Sequence, residues 1–269
     1  MKLIEWHRLL LTASTWLLET RQSVMRIPRI YTEQDLSEGS TIKLDKAASS
    51  YLVKVLRLTE GAPVHLFNGL AVADDYGFFQ ASISNAGKTT EISVEVFIPE
   101  SNNSALKISL LQGISKGDHM DITIQKAVEL GVTDIIPVIC ERTVVNLKAD
   151  RLDKKMRHWN GIVTSACEQS GRNQLMTIHD PVTFNQLSLE EKHSGFILQP
   201  GSSASMLDLT PGQNISLLIG PEGGFSDKEI QLANGKGFTA VKFGPRILRT
   251  ETAAIAAISI IQSAWGDLN

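Results

Sequence analysis

The spacing of apolar and polar residues changes about one third of the way along the chain. Between residues 25 and 98, short apolar segments such as VHLF and ISVEVFI alternate with turn residues, for example Asn68-Gly69. Such short runs bounded by turns are typical of β-strands. One helical stretch, DKAASSYLVKVLRL, interrupts five predicted strands, and Asp45 is its predicted N-cap. Five strands and one helix predict a small β-barrel of a kind that often binds nucleic acid.

From residue 105 onward the apolar segments become more continuous. LKISLLQG, DIIPVI, SGFILQ, ISLLIG and AVKFG are predicted strands, and residues 118–130, 150–168, 227–234 and 251–265 are predicted helices. Apolar strands that alternate with helices predict an α/β domain with a parallel sheet covered on both faces. Ligands of such sheets bind at the carboxyl ends of the strands, where GPEGG and GPRILRTE follow two of them.

The two halves are separated by PESNNS, residues 99–104, which we interpret as a linker. The predicted organisation is an extension at 1–24, a barrel at 25–98, the linker, and the α/β domain at 105–269. In the extension, the apolar run LLLTASTWLL is too short to span a bilayer, and no signal-peptide cleavage pattern follows it. The alternatives for it are a short amphipathic helix or a start codon assigned too early.

Composition indicates the cellular compartment and argues against a disulfide framework and a zinc site. The 269 residues carry a formal net charge of −3, so an RNA partner would have to meet a local basic patch. The 2 cysteines, Cys140 and Cys167, lie far apart without a CxxC pair. This pattern argues against a disulfide framework or a zinc site, and it favours the reducing cytoplasm and a protein without metal.

The loop IGPEGG lies between a predicted strand and a well-marked helix start. Ser226 is a predicted N-cap, Glu229 completes a capping box, and Gly220, Gly223 and Gly224 are expected to allow positive φ. The loop lacks a phosphate-binding lysine, and a carboxylate at Glu222 would repel a phosphate by about 4 kcal/mol at about 4 Å. S-adenosylmethionine (SAM), which has a sulfonium and no phosphate, fits better. The alternative is a tight turn without a ligand.

A second loop, FGPRILRTETA, enters an alanine-rich helix. Ile247 and Leu248 are candidates to line an adenine slot, while Arg246 and Arg249 on either side would face an anion. Alternatively, either arginine is solvated or paired with a carboxylate.

These two loops resemble those of the RsmE-type methyltransferases of the SPOUT class, as do ISKGDHMDITIQKAVELGV, ERTVV and ACEQSGR. The resemblance implies a PUA-like barrel, a SPOUT α/β domain with a C-terminal trefoil knot, and a homodimer. It also implies SAM-dependent methylation of N3 of a uridine in 16S ribosomal RNA, with the assembled 30S subunit as the substrate.

The resemblance also assigns residues to this site. The implied cofactor-binding residues are Leu198, Pro200, Gly201, Ile219, Gly220, Pro221, Glu222, Gly223, Gly224, Phe243, Gly244, Ile247, Leu248 and Thr250. Arg249 is the predicted cation for charge on the uracil oxygens, and Glu251 is the predicted proton acceptor, with capping of its helix as the alternative. Candidates for RNA binding are Arg29, Lys54, Arg57, Lys116, His119, Lys126, Arg142 and Arg172.

The chain departs from the family pattern mainly in the barrel. Ser49-Ser50-Tyr51 stands where the family often has a His-His pair, and LAVADDYGFF replaces a glycine-rich hairpin. RNA contacts of the barrel are therefore expected to differ from the family pattern. Two other functions compete with methyl transfer. A non-catalytic RNA-binding or ribosome-assembly factor would not need the two glycine loops, and a nucleotide-dependent enzyme is disfavoured by the absent phosphate fingerprint.

Overall fold

The structure is a computed structural model that describes residues 27–143 and 149–268, without the side chains of residues 149 and 150. The predicted extension at 1–24 and the end of the ERTVV stretch lie outside the described residues. None of the described helices is both long enough and apolar enough to cross a membrane.

The first part of the chain forms the five predicted strands. They are β1 (Arg29–Tyr31), β2 (Thr41–Lys43), β3 (Pro63–Phe67), β4 (Gly77–Ala86) and β5 (Thr90–Pro99). Their order in the sheet is β1-β3-β4-β5-β2, with β1 and β3 parallel and the other neighbours antiparallel. Alternate residues of the strands, such as Leu66, Ile83 and Ile92, are almost fully buried and form the core of this unit.

The predicted helix of this unit is present but changes character halfway. Helix α1 (Lys46–Ser50) continues into a π-helical turn over Tyr51–Val55. The predicted cap is confirmed, because Asp45 Oδ1 accepts a hydrogen bond of 2.7 Å from the backbone N–H of Ala48. Ser49, at a departure from the family pattern, is buried, and its Oγ accepts a hydrogen bond of 2.9 Å from Thr90 N–H. Ser49 therefore joins the helix to the sheet and has no access to a ligand.

The second sheet has the predicted parallel arrangement. Its strands are β6 (Lys107–Gly113), β7 (Asp134–Ile139), β8 (Thr177–Ile178), β9 (Val182–Thr183), β10 (His193–Leu198), β11 (Asn214–Ile219) and β12 (Thr239–Val241). The order is β12-β10-β11-β6-β7-β8, β9 also pairs with β7, and every pairing is parallel. The sequence did not predict β8 and β9, because two residues are too few to show a period.

Helices cover both faces of this sheet, as predicted. They are α2 (Asp118–Glu129), α3 (Ala149–Ser170), α4 (Asp227–Gly235) and α5 (Thr250–Trp265). Neighbouring strand residues enter opposite cores: Leu110 packs with Trp159 and Ile258 on one face, whereas Leu111 packs with Ala233 on the other. Burial on both faces explains why these strands are continuously apolar in the sequence.

The two units share a packed junction. Phe67 and Phe78 of the first unit belong to the main core of the second. The guanidinium of Arg29 lies 5.2 Å from the centroid of each of these rings and donates a hydrogen bond to Asn173. In the predicted linker, Asn102 Nδ2 donates to the carbonyl of Gly171 at 3.2 Å. Because the linker is bonded to the second unit, the chain path between the sheets is held.

Candidate active site

Three neighbouring strands end at one edge of the second sheet, and the loops that follow them enclose a cleft. Strands β10, β11 and β12 are adjacent in the sheet, so residues that follow them in the chain meet in space. The cleft has a volume of about 1270 Å³. It is lined by every residue that the resemblance assigned to the cofactor: Leu198, Pro200, Gly201, Ile219, Gly220, Pro221, Glu222, Gly223, Gly224, Phe243, Gly244, Ile247, Leu248 and Thr250.

The GPEGG loop is held by side chains and backbone from two other loops. Glu222 Oε1 accepts a hydrogen bond of 2.8 Å from the backbone N–H of Lys116, in the segment after β6. Arg142, after β7, donates from Nη1 to the carbonyl of Gly223 at 2.9 Å. Glu222 therefore ties the loop to the body of the domain. This contact accounts for a carboxylate in a glycine-rich loop where a phosphate site would have a lysine.

The three glycines of this loop are needed for different reasons. Gly224 has a φ of +66°, as expected, but Gly220 and Gly223 do not have positive φ. The prediction of positive φ was therefore wrong for Gly220 and Gly223. Close packing, which leaves no room for a side chain, is the constraint at both positions. A Cβ at Gly220 would lie 3.3 Å from the backbone of Gly224, and one at Gly223 would lie 2.9 Å from Cβ of Arg142. The loop is therefore compact, and side chains are excluded by neighbouring atoms.

The predicted capping box at the start of α4 is confirmed, and it extends further than predicted. Ser226 N–H donates to Glu229 Oε2 at 2.9 Å, and Ser226 Oγ accepts from Glu229 N–H at 3.3 Å. The second oxygen, Oε1, accepts a hydrogen bond of 2.8 Å from Glu141 N–H. This buried carboxylate also contributes to the pKa of Cys140, which burial raises to about 12, so that thiol is not a nucleophile.

We expect Glu229→Gln to lower the free energy of unfolding by about 1–3 kcal/mol. Both carboxylate oxygens accept from backbone N–H groups, and an amide would place its NH₂ against one of them. Urea unfolding followed by circular dichroism measures the loss. Glu60→Gln, on an exposed turn, is the control and should leave the midpoint unchanged. Equal midpoints for the two variants would contradict the role of Glu229.

The second loop is joined to the first through the start of α5. Thr250 Oγ1 donates to the carbonyl of Gly220 at 2.7 Å and accepts from Gln112 Nε2 at 2.9 Å. Gln112, at the end of β6, is fully buried, and no sequence motif identified it. In the same loop, Ile247 is 85% exposed at the rim of the cleft. An apolar side chain so exposed at a cleft is available to cover a ligand.

Both predicted catalytic residues line this cleft, together with His119 and Arg142. Arg249 is the N-cap residue of α5, but its side chain makes no capping hydrogen bond and is exposed. Glu251 lies in the first turn of α5, and its Oε2 accepts no hydrogen bond from the helix backbone in the described part of the chain. Its Oε2 instead lies 3.1 Å from Nδ1 of His119.

Several predicted RNA-binding residues have exposed side chains. His119 and Arg142 line the cleft, and Lys116 is exposed in the segment that precedes α2. Lys54 and Arg57 are exposed on and after the π-helical turn of the first unit. Lys116, Lys54 and Arg57 remain available to a nucleic-acid backbone, whereas Arg142 already donates to the carbonyl of Gly223 and His119 is half-buried beside Glu251.

Other predicted RNA-binding residues are engaged within the protein. Arg172 is only 4% exposed, and its Nη1 donates to the carbonyls of Val132 and Val128 at 2.7 and 3.1 Å. This geometry argues against the predicted RNA contact of Arg172, because its guanidinium is buried and donates to carbonyls at and just after the C-terminal end of α2. Arg29 lies at the packed junction described above, and Lys126 forms an ion pair of 2.8 Å with a glutamate in its own helix.

The described residues, 27–143 and 149–268, contain no group of three or more His, Cys, Asp or Glu side chains that could hold a metal ion. Arginines, a carboxylate–histidine pair and glycine-rich backbone supply the polar chemistry of the cleft. Such a set suits a transfer between organic groups in which charge and protons are handled by side chains.

The parallel sheet with its cleft belongs to a defined class, since residues 102–262 match the model of the RNA methyltransferase domain. The chain is 38% identical over 247 residues to the ribosomal RNA small subunit methyltransferase E of Buchnera aphidicola subsp. Schizaphis graminum, covering 91% of this chain and 99% of that protein. The enzyme of the same name from Bacillus subtilis is 28% identical over 244 residues, covering 86% and 93%. The chain belongs to this family, the RsmE-type RNA methyltransferases.

Two solved structures support the same relationship. The ribosomal RNA small subunit methyltransferase E of Neisseria gonorrhoeae, bound to SAM, superposes with a TM-score of 0.83 at 37% identity, covering 91% of this chain and 100% of that one. A Legionella pneumophila protein assigned as a methyltransferase, solved in complex with SAM, has a TM-score of 0.85 at 41% identity with the same coverage.

Proposed function

We propose that this protein transfers a methyl group from SAM to N3 of a uridine in 16S ribosomal RNA, and that its substrate is the assembled 30S subunit. The observation that carries the proposal is the convergence of three separate loops on one cleft. Relatives that span nearly the whole chain are named ribosomal RNA small subunit methyltransferases, and one of their structures contains SAM. The reaction would take place in the cytoplasm.

The residues of the cleft fit SAM. Leu198, Phe243, Ile247 and Leu248 offer apolar surface for the faces of an adenine ring, and the glycines let backbone amides and carbonyls approach its edge. The carboxylate of Glu222 disfavours ligands that carry phosphate at this loop. When bound, SAM supplies a methyl group on a positively charged sulfur. The protein must hold that methyl group in line with the uracil nitrogen and exclude water.

Arg249 supplies the positive charge that the reaction needs. When N3 of uracil loses its proton, negative charge spreads to O2 and O4. The guanidinium of Arg249 lies at the cleft with no capping hydrogen bond to hold it, so it is free to donate to such oxygens. Arg249 therefore stabilises the charge that develops during methyl transfer.

The rest of the RNA would contact exposed basic side chains on both units. Lys116 and Arg142 lie next to the cleft, and Lys54 and Arg57 lie beside Tyr51, which is 43% exposed on the first unit. Lysine and arginine bind phosphates, and a tyrosine ring offers a stacking surface to a base. Tyr51 belongs to the stretch Ser49-Ser50-Tyr51, where the family often has a His-His pair, so it would give this barrel its own RNA contact.

We assign residues 25–98 to a PUA-like barrel, 99–104 to the linker and 105–269 to a SPOUT domain whose C-terminal part forms a trefoil knot in a homodimer. The five-stranded sheet of the first unit supports the barrel. The hydrogen bond between Thr250 and Gly220 places the start of the last helix against the loop after β11, and the knot itself rests on the resemblance to the family.

Purified protein is expected to bind SAM without added metal, because the cleft lacks both a phosphate-binding lysine loop and a metal cluster within the described residues. Isothermal titration calorimetry in EDTA measures this binding, and ATP serves as the control ligand. A clear heat with ATP and none with SAM would contradict the proposed cofactor.

Incubation with SAM and 30S subunits that lack the modification is expected to produce 3-methyluridine in 16S RNA. Mass spectrometry of the digested nucleosides detects it, and free 16S RNA tests whether the assembled subunit is required. Subunit binding without SAM binding or methylation would favour the non-catalytic RNA-binding factor.

A further inference from the structure

His119 and Glu251 form a pair at the cleft that the RNA contact expected of His119 does not explain. Nδ1 of His119, in the first turn of α2, lies 3.1 Å from Oε2 of Glu251, in the first turn of α5. Oε2 is buried and has no aligned hydrogen-bond partner in the described part of the chain, so Nδ1 of His119 is a close neighbour and not yet a hydrogen-bond donor to it. The side chain of His119 is 36% exposed and that of Glu251 only 12%. The imidazole therefore lies on the solvent side of the carboxylate, at the wall of the cleft.

We propose that His119 is the base that takes the N3 proton of the target uridine, and that Glu251 is the positioning residue that orients it. This inference rests on the proposed function. It reassigns the acceptor from the glutamate, which the sequence favoured, to the histidine in front of it.

The imidazole is the better acceptor for two reasons. A general base is most effective when its affinity for protons matches the working pH, and imidazole meets that condition near neutrality better than a carboxylate does. The exposed ring also reaches the cleft, whereas the carboxylate lies behind it. A base must come within hydrogen-bond distance of the proton that it removes.

Glu251 determines which ring nitrogen is available. A buried carboxylate oxygen without a partner requires a donor, and Nδ1 of His119 lies 3.1 Å from it, so the pair favours the neutral tautomer with its proton on Nδ1 and the lone pair on Nε2. After Nε2 takes a proton, the carboxylate stabilises the resulting imidazolium.

The step balances in atoms and charge. The N3–H electron pair forms the new bond from N3 to the methyl carbon, while the proton passes to Nε2 of His119. The sulfur–methyl bond breaks, and its electron pair remains on the sulfur as a neutral thioether. The positive charge of the sulfonium is thus replaced by that of the imidazolium, which later releases its proton to water.

Other charged groups near the pair contribute to any dependence on pH. Asp118 and Asp121 share the first turn of α2 with His119, and Lys116 precedes it. The remaining charged residues of the cleft come from other loops: Arg142, Glu222, Asp227, Lys242, Arg246 and Arg249. Each of these is retained in the variants below, so differences between the variants and the wild-type protein report on the pair.

The first test is the position of the ring proton, which does not depend on activity. Long-range ¹H–¹⁵N spectra of the 6 histidines identify His119 by comparison with His119→Gln. We expect the Nδ1–H form in the wild-type protein and the Nε2–H form, the usual one for a free imidazole, in Glu251→Ala. An Nε2–H form in the wild-type protein would overturn the proposal, because the atom required as acceptor would already carry a proton.

The second test is the single-turnover rate of methylation as a function of pH. His119→Gln is expected to slow methyl transfer by about 10²–10³-fold near neutral pH, the usual scale for loss of a general base. The loss should shrink by about tenfold per pH unit as hydroxide replaces the missing base. SAM affinity should stay within about twofold, because the proton is transferred only in the transition state.

His179→Gln is the matched control. His179 also pairs with a carboxylate, Asp134 Oδ1 at 3.1 Å, but this pair lies at the opposite edge of the sheet, where β7 begins. The control should methylate at the wild-type rate. Equal rates and pH profiles for His119→Gln and the wild-type protein would overturn the role of His119 as the base and of Glu251 as its positioning residue, and would leave the proposed function intact. A wild-type protein that shows the Nδ1–H form but methylates no ribosomal RNA would overturn the proposed function and the role of base with it.

Discussion

Arg249→Ala is expected to slow methyl transfer by about 10²–10³-fold, the scale of one lost donor to a developing oxyanion. SAM affinity should change little, because the guanidinium acts on charge that appears in the uracil ring only as N3 is deprotonated. Arg249 is exposed at the cleft and its side chain makes no capping hydrogen bond, so the substitution removes no contact on which the fold depends. Single-turnover rates at saturating RNA, with calorimetry for SAM, separate the two effects.

Arg249→Lys is the matched variant for this experiment. Lysine keeps the positive charge but lacks the planar set of N–H donors of the guanidinium. If these donors must bind the uracil oxygens in a fixed geometry, Arg249→Lys should recover only part of the rate. A normal rate in Arg249→Ala at saturating RNA, with weaker RNA binding and a salt slope reduced by about one, would instead place Arg249 on an RNA phosphate.

Gly113→Ala is expected to weaken SAM binding by at least about tenfold and to lower the free energy of unfolding by about 1–3 kcal/mol. Gly113 ends β6, and a Cβ there would lie 2.5 Å from both Cδ and N of Pro221 and 2.8 Å from the carbonyl carbon of Gly220. Two of these are backbone atoms of the GPEGG loop, so the loop itself must move. Because Glu222 and Thr250 tie that loop to its neighbours, the displacement would reach the whole cleft.

Gly161→Ala is the control for Gly113→Ala. Gly161 lies within α3 with nothing near the position of an added Cβ, so alanine should raise the stability by about 0.5–1 kcal/mol and leave SAM binding unchanged. Calorimetry and urea unfolding measure both variants. Normal SAM affinity in a folded Gly113→Ala protein would show that the loop can retreat from β6 without damage to the cleft.

The sequence by itself determined most of the elements and the edge of the sheet at which the cleft lies. The continuous apolar runs such as ISLLIG predicted a sheet buried on both faces, and the capping residues Ser226 and Glu229 predicted where α4 begins. Both signals are local, because burial on two faces and a helix cap each act within a few residues of the chain. The two loops that follow apolar strands were sufficient to predict the carboxyl edge as the binding edge.

Tertiary structure alone decided which partner each polar group meets. Glu222 contacts a backbone N–H 106 positions away in the chain, and Gln112 contacts a hydroxyl 138 positions away. No periodicity or spacing encodes such pairs, because they depend on how the strands are ordered in the sheet. For the same reason the sequence placed Arg172 on an RNA surface, although its guanidinium is buried against the carbonyls of Val128 in α2 and Val132 just after it. The meeting of His119 with Glu251 likewise exists only because α2 and α5 begin at the same edge of the fold.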